Sequence, residues 1–198
     1  MRKVAILIFD EVEVLDFCGP FEVFALAGRS LPEKPFDVFT VAEKPGPVIA
    51  RNGLSVNPRC TIADCPQPDM LIVPGGYGTR REMHNQALIA WIGAQAAQVE
   101  LVMSVCTGAL LLARAGLLDG LEATTHFGAL DLLREVAPRA TIRPDQRFTD
   151  NGRILLSAGI SAGIDLSFHI MTKLLGHEVA AETARWMEYD WKGITNQA

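Results

Sequence analysis

The sequence has no cluster of basic side chains, which is the feature that nucleic-acid binding requires. Its 18 lysines and arginines are outnumbered by 23 aspartates and glutamates, so the formal net charge is −5. Contacts to a phosphate backbone depend on basic patches, and no recognition helix-turn-helix remains to be placed. We therefore expect a small-molecule partner and no nucleic acid.

Long apolar runs are also absent. The amino terminus, MRKVAILIFDE, begins with two basic residues after Met1, and its apolar run covers six residues before Asp10 and Glu11. A membrane-spanning helix needs about 20 apolar residues, and a signal peptide needs different flanks. This stretch predicts a first β-strand, and we expect no membrane association and a cytoplasmic location.

Cysteine is scarce, with four residues at positions 18, 60, 65 and 106. In a leaderless chain of this size we expect reduced thiols in the cytosol rather than a disulfide framework. Cys60 and Cys65 have no histidine or second cysteine doublet at the spacing of a zinc site. We interpret both as structural, and we predict no metal site.

The chain does have the composition of a globular domain and an alternation of strands and helices. With 198 residues, 49% hydrophobic and 21% charged, it is most simply one domain spanning residues 1–198. The alternation predicts a doubly wound α/β fold with a mostly parallel sheet and helices on both faces. We expect strands at 3–9, 36–41, 70–73, 101–105, 122–125, 140–142, 147–149 and 153–157, a turn-rich hairpin at 44–58, and helices at 20–28, 85–97, 109–115, 126–136, 162–175 and 177–189.

The hydrophobic pattern changes its period at Cys106. Residues 101–105 are typical of a strand buried on both faces, and residues 109–113 are strong helix formers. Within Ser-Val-Cys-Thr-Gly the strand must become a helix in about two residues, with the small Ser104 and Gly108 on either side of the cysteine. This is the arrangement of a nucleophile elbow.

An elbow exposes one side chain at the carboxyl edge of the sheet, opposite the first free amides of the helix. The positive helix end favours the thiolate, which is the nucleophilic form of cysteine, and the Thr107 amide is placed to bind negative charge on a substrate. We predict Cys106 as a catalytic nucleophile with Thr107 beside it. The alternative is a buried, inert thiol, because small residues also permit close strand-helix packing.

Asp16 lies among apolar residues after the first strand, followed by Phe-Cys-Gly-Pro. An apolar setting raises the pKa of a carboxyl and lets it donate or accept a proton near neutral pH. The alternative is a solvated loop or helix-capping aspartate. The next helix is predicted to open with Pro20 in its first position.

A glycine-rich turn, Pro-Gly-Gly-Tyr-Gly, follows the strand at 70–73. It matches neither phosphate-binding fingerprint. Glycines let backbone amides approach a ligand, so the amide of Gly76 or Tyr77 is a candidate second half of an oxyanion hole. The alternative is a plain tight turn.

Among the four histidines, His126 stands apart because it ends a strand on the side where the elbow should point. We predict that it lines the pocket. His84, His169 and His177 lie in amphipathic or turn settings and are interpreted as structural or surface residues.

Five motifs, together and in order, resemble the ThiJ/PfpI family of the class I glutamine amidotransferase-like superfamily. They are Leu-Asp-Phe-Cys-Gly-Pro, Pro-Gly-Gly-Tyr-Gly, Ser-Val-Cys-Thr-Gly, Ala-Thr-Thr-His-Phe and Gly-Ile-Ser-Ala-Gly-Ile-Asp. The resemblance implies a flavodoxin-like fold, a homodimer, Cys106 as nucleophile, Asp16 as acid/base and Thr107 as a contact of the reacting group. It also places Ile160, with Gly76, Tyr77 and His126, among the candidate oxyanion or substrate-binding residues.

Within that family the sequence looks most like isonitrile hydratases and the sensor-like domains fused to AraC-type regulators. Proteolytic relatives carry a histidine beside the nucleophile, where this chain has Thr107, so a Cys-His-Glu hydrolase is not expected. The resemblance therefore implies hydration of an isonitrile, with a small electrophile as substrate and no metal or organic cofactor.

Two alternatives stay open. One is a glutathione-independent glyoxalase or deglycase acting on dicarbonyls, although those relatives usually carry glutamate where this chain has Asp16. The other is a cysteine-based redox or ligand sensor. An AraC-type regulator would need about a hundred more residues of helix-turn-helix after Trp191, and the sequence stops at Ala198.

Overall fold

A computed structural model describes residues 1–193, so the end of the predicted domain, residues 194–198, lies outside the described residues. The strands of the described chain are β1 (Arg2–Leu7), β2 (Phe36–Ala42), β3 (Val48–Ile49), β4 (Ser55–Val56), β5 (Cys60–Thr61), β6 (Met70–Val73), β7 (Leu101–Val105), β8 (Glu122–Ala123), β9 (Thr141–Ile142), β10 (Phe148–Asp150) and β11 (Ile154–Ser157). Its α-helices are α1 (Val14–Leu26), α2 (Thr79–Glu82), α3 (Gln86–Ala96), α4 (Gly108–Arg114), α5 (Leu130–Val136), α6 (Ala162–Leu175) and α7 (His177–Trp186).

Seven strands form one sheet in the order β10-β11-β7-β6-β1-β2-β5. Every neighbouring pair is parallel except β10 with β11. Helices α1, α6 and α7 pack together as one group, and α3, α4 and α5 form another. The prediction of a mostly parallel sheet flanked by helices is confirmed.

The central strands β1, β6 and β7 position the site. All residues of β6 and β7 are buried, which explains why their sequences are apolar except at Ser104. Ile72 pairs with Met103 and Ile6 pairs with Ile72, so the carboxyl ends of the three strands lie along one edge of the sheet. Ligands of open α/β sheets bind outside this edge.

The prediction that the first helix begins at Pro20 is wrong. Helix α1 begins at Val14 and contains Pro20. Proline removes one helical N–H, but the start is fixed elsewhere, because the Glu13 amide donates to the Gly75 carbonyl at 2.9 Å. Gly19 packs against Ile164 of α6, so tertiary contacts hold the helix through the proline.

The hairpins predicted from turn residues are confirmed. Strands β3 and β4 pair antiparallel within the predicted stretch 44–58, and β10 and β11 pair around Asn151 and Gly152. Ser161 precedes α6 as predicted, but its side chain forms no cap and instead accepts a hydrogen bond from Arg147. Helix α2 and strand β5 were not predicted, because each is too short to carry a periodic signal.

The four cysteines are all free thiols. No helix within residues 1–193 is both long and apolar enough to cross a membrane.

The close packing of α4 on β6 can be tested by adding a side-chain carbon at Gly108. A Cβ on Gly108 would lie 2.0 Å from the Val73 carbonyl oxygen, a backbone atom that cannot move aside. We expect Gly108→Ala to lower the free energy of unfolding by about 2 kcal/mol or more in urea denaturation.

Gly93, inside α3, is the matched control because a Cβ there meets nothing within 4 Å. Gly93→Ala should raise stability by about 0.5–1 kcal/mol through helix propensity. Equal stability of Gly108→Ala and the unmodified protein would contradict the packing argument.

Candidate active site

Cys106 lies at the joint between β7 and α4, and its φ of +55° is left-handed. Two contacts hold this uncommon backbone. The Cys106 amide donates to the carbonyls of Ser157 and Ala158, both at 3.2 Å, and its carbonyl accepts from Thr125 Oγ1 at 2.8 Å. The elbow geometry predicted from the sequence is confirmed.

Asp16 lies in the first turn of α1 and its side chain is fully buried. Its Oδ2 atom accepts a hydrogen bond from the Gly75 amide at 3.0 Å. Its Oδ1 atom is buried without a well-formed hydrogen bond, and the Cys106 thiol and the charge of Glu13 both act on this carboxyl. A buried oxygen left without a partner is rare in proteins, so Asp16 has an acceptor available inside the site.

Burial raises the pKa of Asp16 to about 7, against the opposing effect of the Gly75 hydrogen bond. This agrees with the prediction made from its apolar sequence setting. Near neutral pH the carboxyl is therefore able to hold and to release a proton.

The prediction that the positive end of the helix after Cys106 lowers the pKa of this thiol is wrong for the protein without substrate. Burial, followed by the negative charge of Asp16, raises the pKa of Cys106 to about 12. The backbone amides of Thr107 and Ile160 act in the opposite direction by donating to the sulfur. Burial and the negative charge of Asp16 together outweigh the Thr107 amide at the start of α4 and the Ile160 amide before α6.

Asp16 and Cys106 behave as a coupled pair, because a negative charge on one disfavours a negative charge on the other. The pair keeps one proton over a wide pH range. When that proton is on Asp16, the charge that opposes the thiolate is gone and the two amides stabilise the sulfur. Transfer of one proton from the Cys106 thiol to the Asp16 carboxylate would therefore place a thiolate and a carboxylic acid next to each other.

Thr107 is held by the glycine-rich turn. The Gly76 amide donates to Thr107 Oγ1 at 2.9 Å, and Thr107 Oγ1 donates to the Gly76 carbonyl at 3.1 Å. Thr79 Oγ1 lies 3.1 Å from Thr107 Oγ1 and also bonds the Gly76 carbonyl. The Gly76 amide is thus engaged within the protein, and a direct substrate contact of Gly76 stays a prediction.

Gly75 lies between Thr107 and Asp16, at the centre of the site. A Cβ at this position would lie 2.5 Å from the Thr107 nitrogen and 2.9 Å from Asp16 Oδ2. Only glycine permits this approach. Sequence reasoning missed Gly75, although the doubled glycine after a buried strand was the available signal.

His126 and Ile160 border a cavity of about 340 Å³ beside the elbow, and a substrate contact of either residue stays a prediction. The lining of this cavity is Thr125, His126, Phe127, Pro144, Ala158, Gly159, Ile160 and Ser161. His126 Nδ1 accepts from the Gly128 amide at 3.1 Å, so a neutral ring carries its hydrogen on Nε2. The Tyr77 side chain is 65% exposed, with Arg51 and Arg80 over its ring, and its substrate contact also stays a prediction.

Two threonines of the site, Thr79 and Thr125, were not predicted as functional residues. Thr79 is fully buried beside Thr107, and Thr125 holds the Cys106 carbonyl. Thr125 precedes His126 in the Ala-Thr-Thr-His-Phe motif, which was its only sequence signal.

A larger cavity of about 600 Å³ lies outside the ends of β1 and β2, and Cys106 and Asp16 line neither this cavity nor the one beside His126. Volume alone would favour this cavity, whereas the perturbed pair of ionisable groups favours the elbow. Within residues 1–193 no three His, Cys, Asp or Glu side chains are grouped in a way that could hold a metal ion.

The chain is similar to proteins of a known family. A family model described as the DJ-1/PfpI family matches residues 2–173. The isonitrile hydratase of Pseudomonas putida is 37% identical over 187 residues, which cover 94% of this chain and 78% of that protein.

Regulators and solved structures are also similar. The HTH-type transcriptional regulator GbdR of Pseudomonas aeruginosa is 27% identical over 96% of this chain, which spans about half of the regulator, 51%. The crystal structure of a ThiJ/PfpI family protein from Pseudomonas syringae superposes with a TM-score of 0.87 at 27% identity, over 98% of this chain and 78% of that one.

The raised pKa of Asp16 predicts a pH-dependent cost of burying its charge. The folded protein holds the Asp16 proton up to about pH 7, whereas the unfolded chain releases it near pH 3.9. Asp16 therefore stabilises the fold less as pH rises between these values. Asp16→Asn should gain stability relative to the unmodified protein by roughly 4 kcal/mol from pH 4 to pH 7.5, measured by urea denaturation at several pH values.

Asp64→Asn is the control. The Thr61 hydrogen bonds lower the pKa of Asp64, so its titration lies below this pH window and its stability offset should be constant there. A constant offset for Asp16→Asn as well would contradict the raised pKa of Asp16.

Proposed function

Because the chain belongs to the DJ-1/PfpI family, we propose that it hydrates an isonitrile to an N-substituted formamide, with Cys106 as the nucleophile. The observation that carries the proposal is the buried pair of Cys106 and Asp16, in which each group acts on the pKa of the other and no histidine of residues 1–193 is among the groups that act on either. The similarity to the Pseudomonas putida isonitrile hydratase supports this choice of reaction.

In the first step Asp16 holds the shared proton and Cys106 is the thiolate. The sulfur attacks the terminal carbon of the isonitrile, R–NC, and a carbon–sulfur bond forms. Asp16 gives its proton to that same carbon. The product is a thioimidate, R–N=CH–S–Cys106, and Asp16 is left as a carboxylate.

Water completes the reaction in the second step. Asp16 removes a proton from the water as the oxygen adds to the carbon, and it passes that proton to the nitrogen. The resulting R–NH–CH(OH)–S–Cys106 loses its hydroxyl proton to Asp16 as the carbon–sulfur bond breaks. The formamide R–NH–CHO leaves, and the thiolate and protonated Asp16 are restored. The sum is one isonitrile and one water converted to one formamide.

The surroundings of the sulfur fit this sequence. The Thr107 and Ile160 amides stabilise the thiolate before attack and again when it leaves. Cys106 is 5% exposed, so the charged sulfur reacts in a site with little water. In this proposal the isonitrile substituent R occupies the cavity beside His126 and Ile160, which borders the turn whose Ile160 amide contacts the sulfur.

A sensor function is the second candidate, because the chain is also similar to the amino-acid sequence of GbdR. In that case Cys106 would bind or react with a signal molecule without turnover. Glyoxalase chemistry is a third possibility, with Cys106 forming a hemithioacetal and Asp16 moving protons between adjacent carbons.

The test of the proposed reaction is formamide production from an aliphatic isonitrile such as cyclohexyl isonitrile, followed by chromatography. We expect turnover by the unmodified protein and none by Cys106→Ala. Asp16→Asn keeps the shape but removes the titrating group, so turnover should fall by roughly 10² to 10⁴.

Cys18→Ala is the matched control, because this thiol is partly exposed and does not take part in the proposed reaction. It should leave turnover unchanged. Activity in Cys106→Ala, or an inactive unmodified protein, would contradict the proposal. Lactate formation from methylglyoxal without glutathione would then favour the glyoxalase, and inertness toward both substrates would favour the sensor.

We also infer that the protein is a homodimer. Ile49 and Leu54, which lie in and next to the β3–β4 hairpin, are 44% and 46% exposed, and contiguous exposed apolar side chains mark interaction surfaces. Tyr77 is exposed beside them, since Arg51 from the same hairpin segment lies over its ring. A second copy of the chain covering these side chains would remove them from water.

Sedimentation equilibrium tests this state. We expect twice the 21.5 kDa chain mass, and the double variant Ile49→Glu with Leu54→Glu should shift the protein toward the monomer because it places charge in the covered face. A monomeric unmodified protein would contradict the inference.

A further inference from the structure

The turn between β11 and α6 holds a strained residue against the nucleophile. Ile160 has a φ of +38°, a left-handed value that is a genuine outlier for a β-branched residue. Its amide is one of the two that donate to the Cys106 sulfur. Strain of this kind persists only where the surrounding structure enforces it, so the contacts that hold the turn belong to the site.

The first half of the turn is held by backbone and ring contacts. The Ala158 amide donates to the Arg147 carbonyl at 2.9 Å. Gly159 follows, and a Cβ there would lie 2.3 Å from His126 Cδ2, so this residue fits under the histidine ring.

The second half is held by the side chain of Arg147. Its Nη2 atom donates to Ser161 Oγ at 3.2 Å, and its Nε atom donates to Asp165 Oδ2. Ser161 directly follows Ile160, and Asp165 lies in the first turn of α6. The guanidinium therefore spans the joint at which the strained turn becomes a helix.

Asp165 is an unusual anchor because it is a carboxylate that is only 5% exposed. Its second oxygen, Oδ1, accepts from the Tyr189 hydroxyl at 2.7 Å, and the Tyr189 ring stacks on Phe168 at 5.5 Å. Both carboxylate oxygens are thus bonded, and the first turn of a 14-residue helix favours their charge. A buried carboxylate with these partners fixes the position of the arginine that it pairs with.

We propose that Arg147 and Asp165 are positioning residues of the active site, which hold Ser161 and the start of α6 so that the strained Ile160 amide stays on the Cys106 sulfur. The proposal deepens the proposed function and rests on it for the role of Cys106 as nucleophile. Neither residue touches the reacting atoms. They act through Ile160 on the acidity of the thiol.

The test measures the reactivity of the Cys106 thiol directly. Alkylation of Cys106 by iodoacetamide is followed from pH 6 to pH 11 by peptide mass spectrometry, with Cys18, Cys60 and Cys65 as internal standards. Asp16 is the ionisable side chain that interacts with Cys106, and it is present in every variant. Differences between the pH profiles of the variants therefore measure changes in the contact between the Ile160 amide and the Cys106 sulfur.

We expect Arg147→Met to shift the alkylation profile of Cys106 to higher pH and to slow alkylation about tenfold at a fixed pH below the midpoint, because a hydrogen bond to a charged group is lost. Arg147→Lys keeps the charge beside Asp165 but cannot bridge to Ser161 as a planar fork. It should give a smaller shift in the same direction. The profiles of the three standard cysteines should not move.

Ser161→Ala provides a milder variant in case Arg147→Met fails to fold, and it should shift the profile in the same direction. Arg2→Met is the matched control, because Arg2 pairs with Glu100 at the opposite end of the sheet; its Cys106 profile should equal that of the unmodified protein. Folded Arg147→Lys and Ser161→Ala variants with lowered thermal midpoints but unchanged Cys106 profiles would overturn the proposal. Isonitrile turnover is measured separately, so a protein without turnover whose Cys106 profile still responds to Arg147 would contradict the proposed function and support the positioning role.

Discussion

Gly75 lies between the Asp16 carboxyl and the Thr107 amide in a space that has no room for a side chain. Gly108 has the same role at a neighbouring contact, where α4 approaches the Val73 carbonyl. These two contacts bring the first helix, the glycine-rich turn and the elbow within bonding distance of one another. The hydrogen bond from Gly75 to Asp16, the network around Thr107 and the pairing of Asp16 with Cys106 all depend on that approach.

Exclusion of water then determines the chemistry of the pair. In water an aspartate and a cysteine would ionise independently near their ordinary pKa values. Inside this site both pKa values rise, and the larger effect in each case is burial. The backbone amides around the sulfur offset some of that cost for the thiolate. The fold thus holds a carboxyl and a thiol with raised pKa values next to each other.

Much of this arrangement could be predicted from local sequence. The period change at Cys106 predicted the elbow, because a strand and a helix bury different repeats of apolar residues. The apolar neighbours of Asp16 predicted its raised pKa. The pKa of Cys106 and the start of α1 could not be predicted in this way, since each depends on residues distant in the chain: Asp16 in the first case, and Gly75 in the second. The strain at Ile160 and the contacts of Arg147 with Asp165 are likewise products of tertiary packing.

The chain positions of the site residues have a consequence for folding. Asp16, Gly75, Cys106 and Ile160 lie in the segments that follow β1, β6, β7 and β11, and they meet only when these parallel strands are paired. Pairing of this kind closes long loops and is a slow event in folding. Until it is complete, Cys106 is an ordinary solvated thiol with a pKa near 8.5. The newly made chain therefore passes through a period in which the Cys106 thiol is exposed and more acidic than in the folded protein, and the packing that later buries this thiol also raises its pKa.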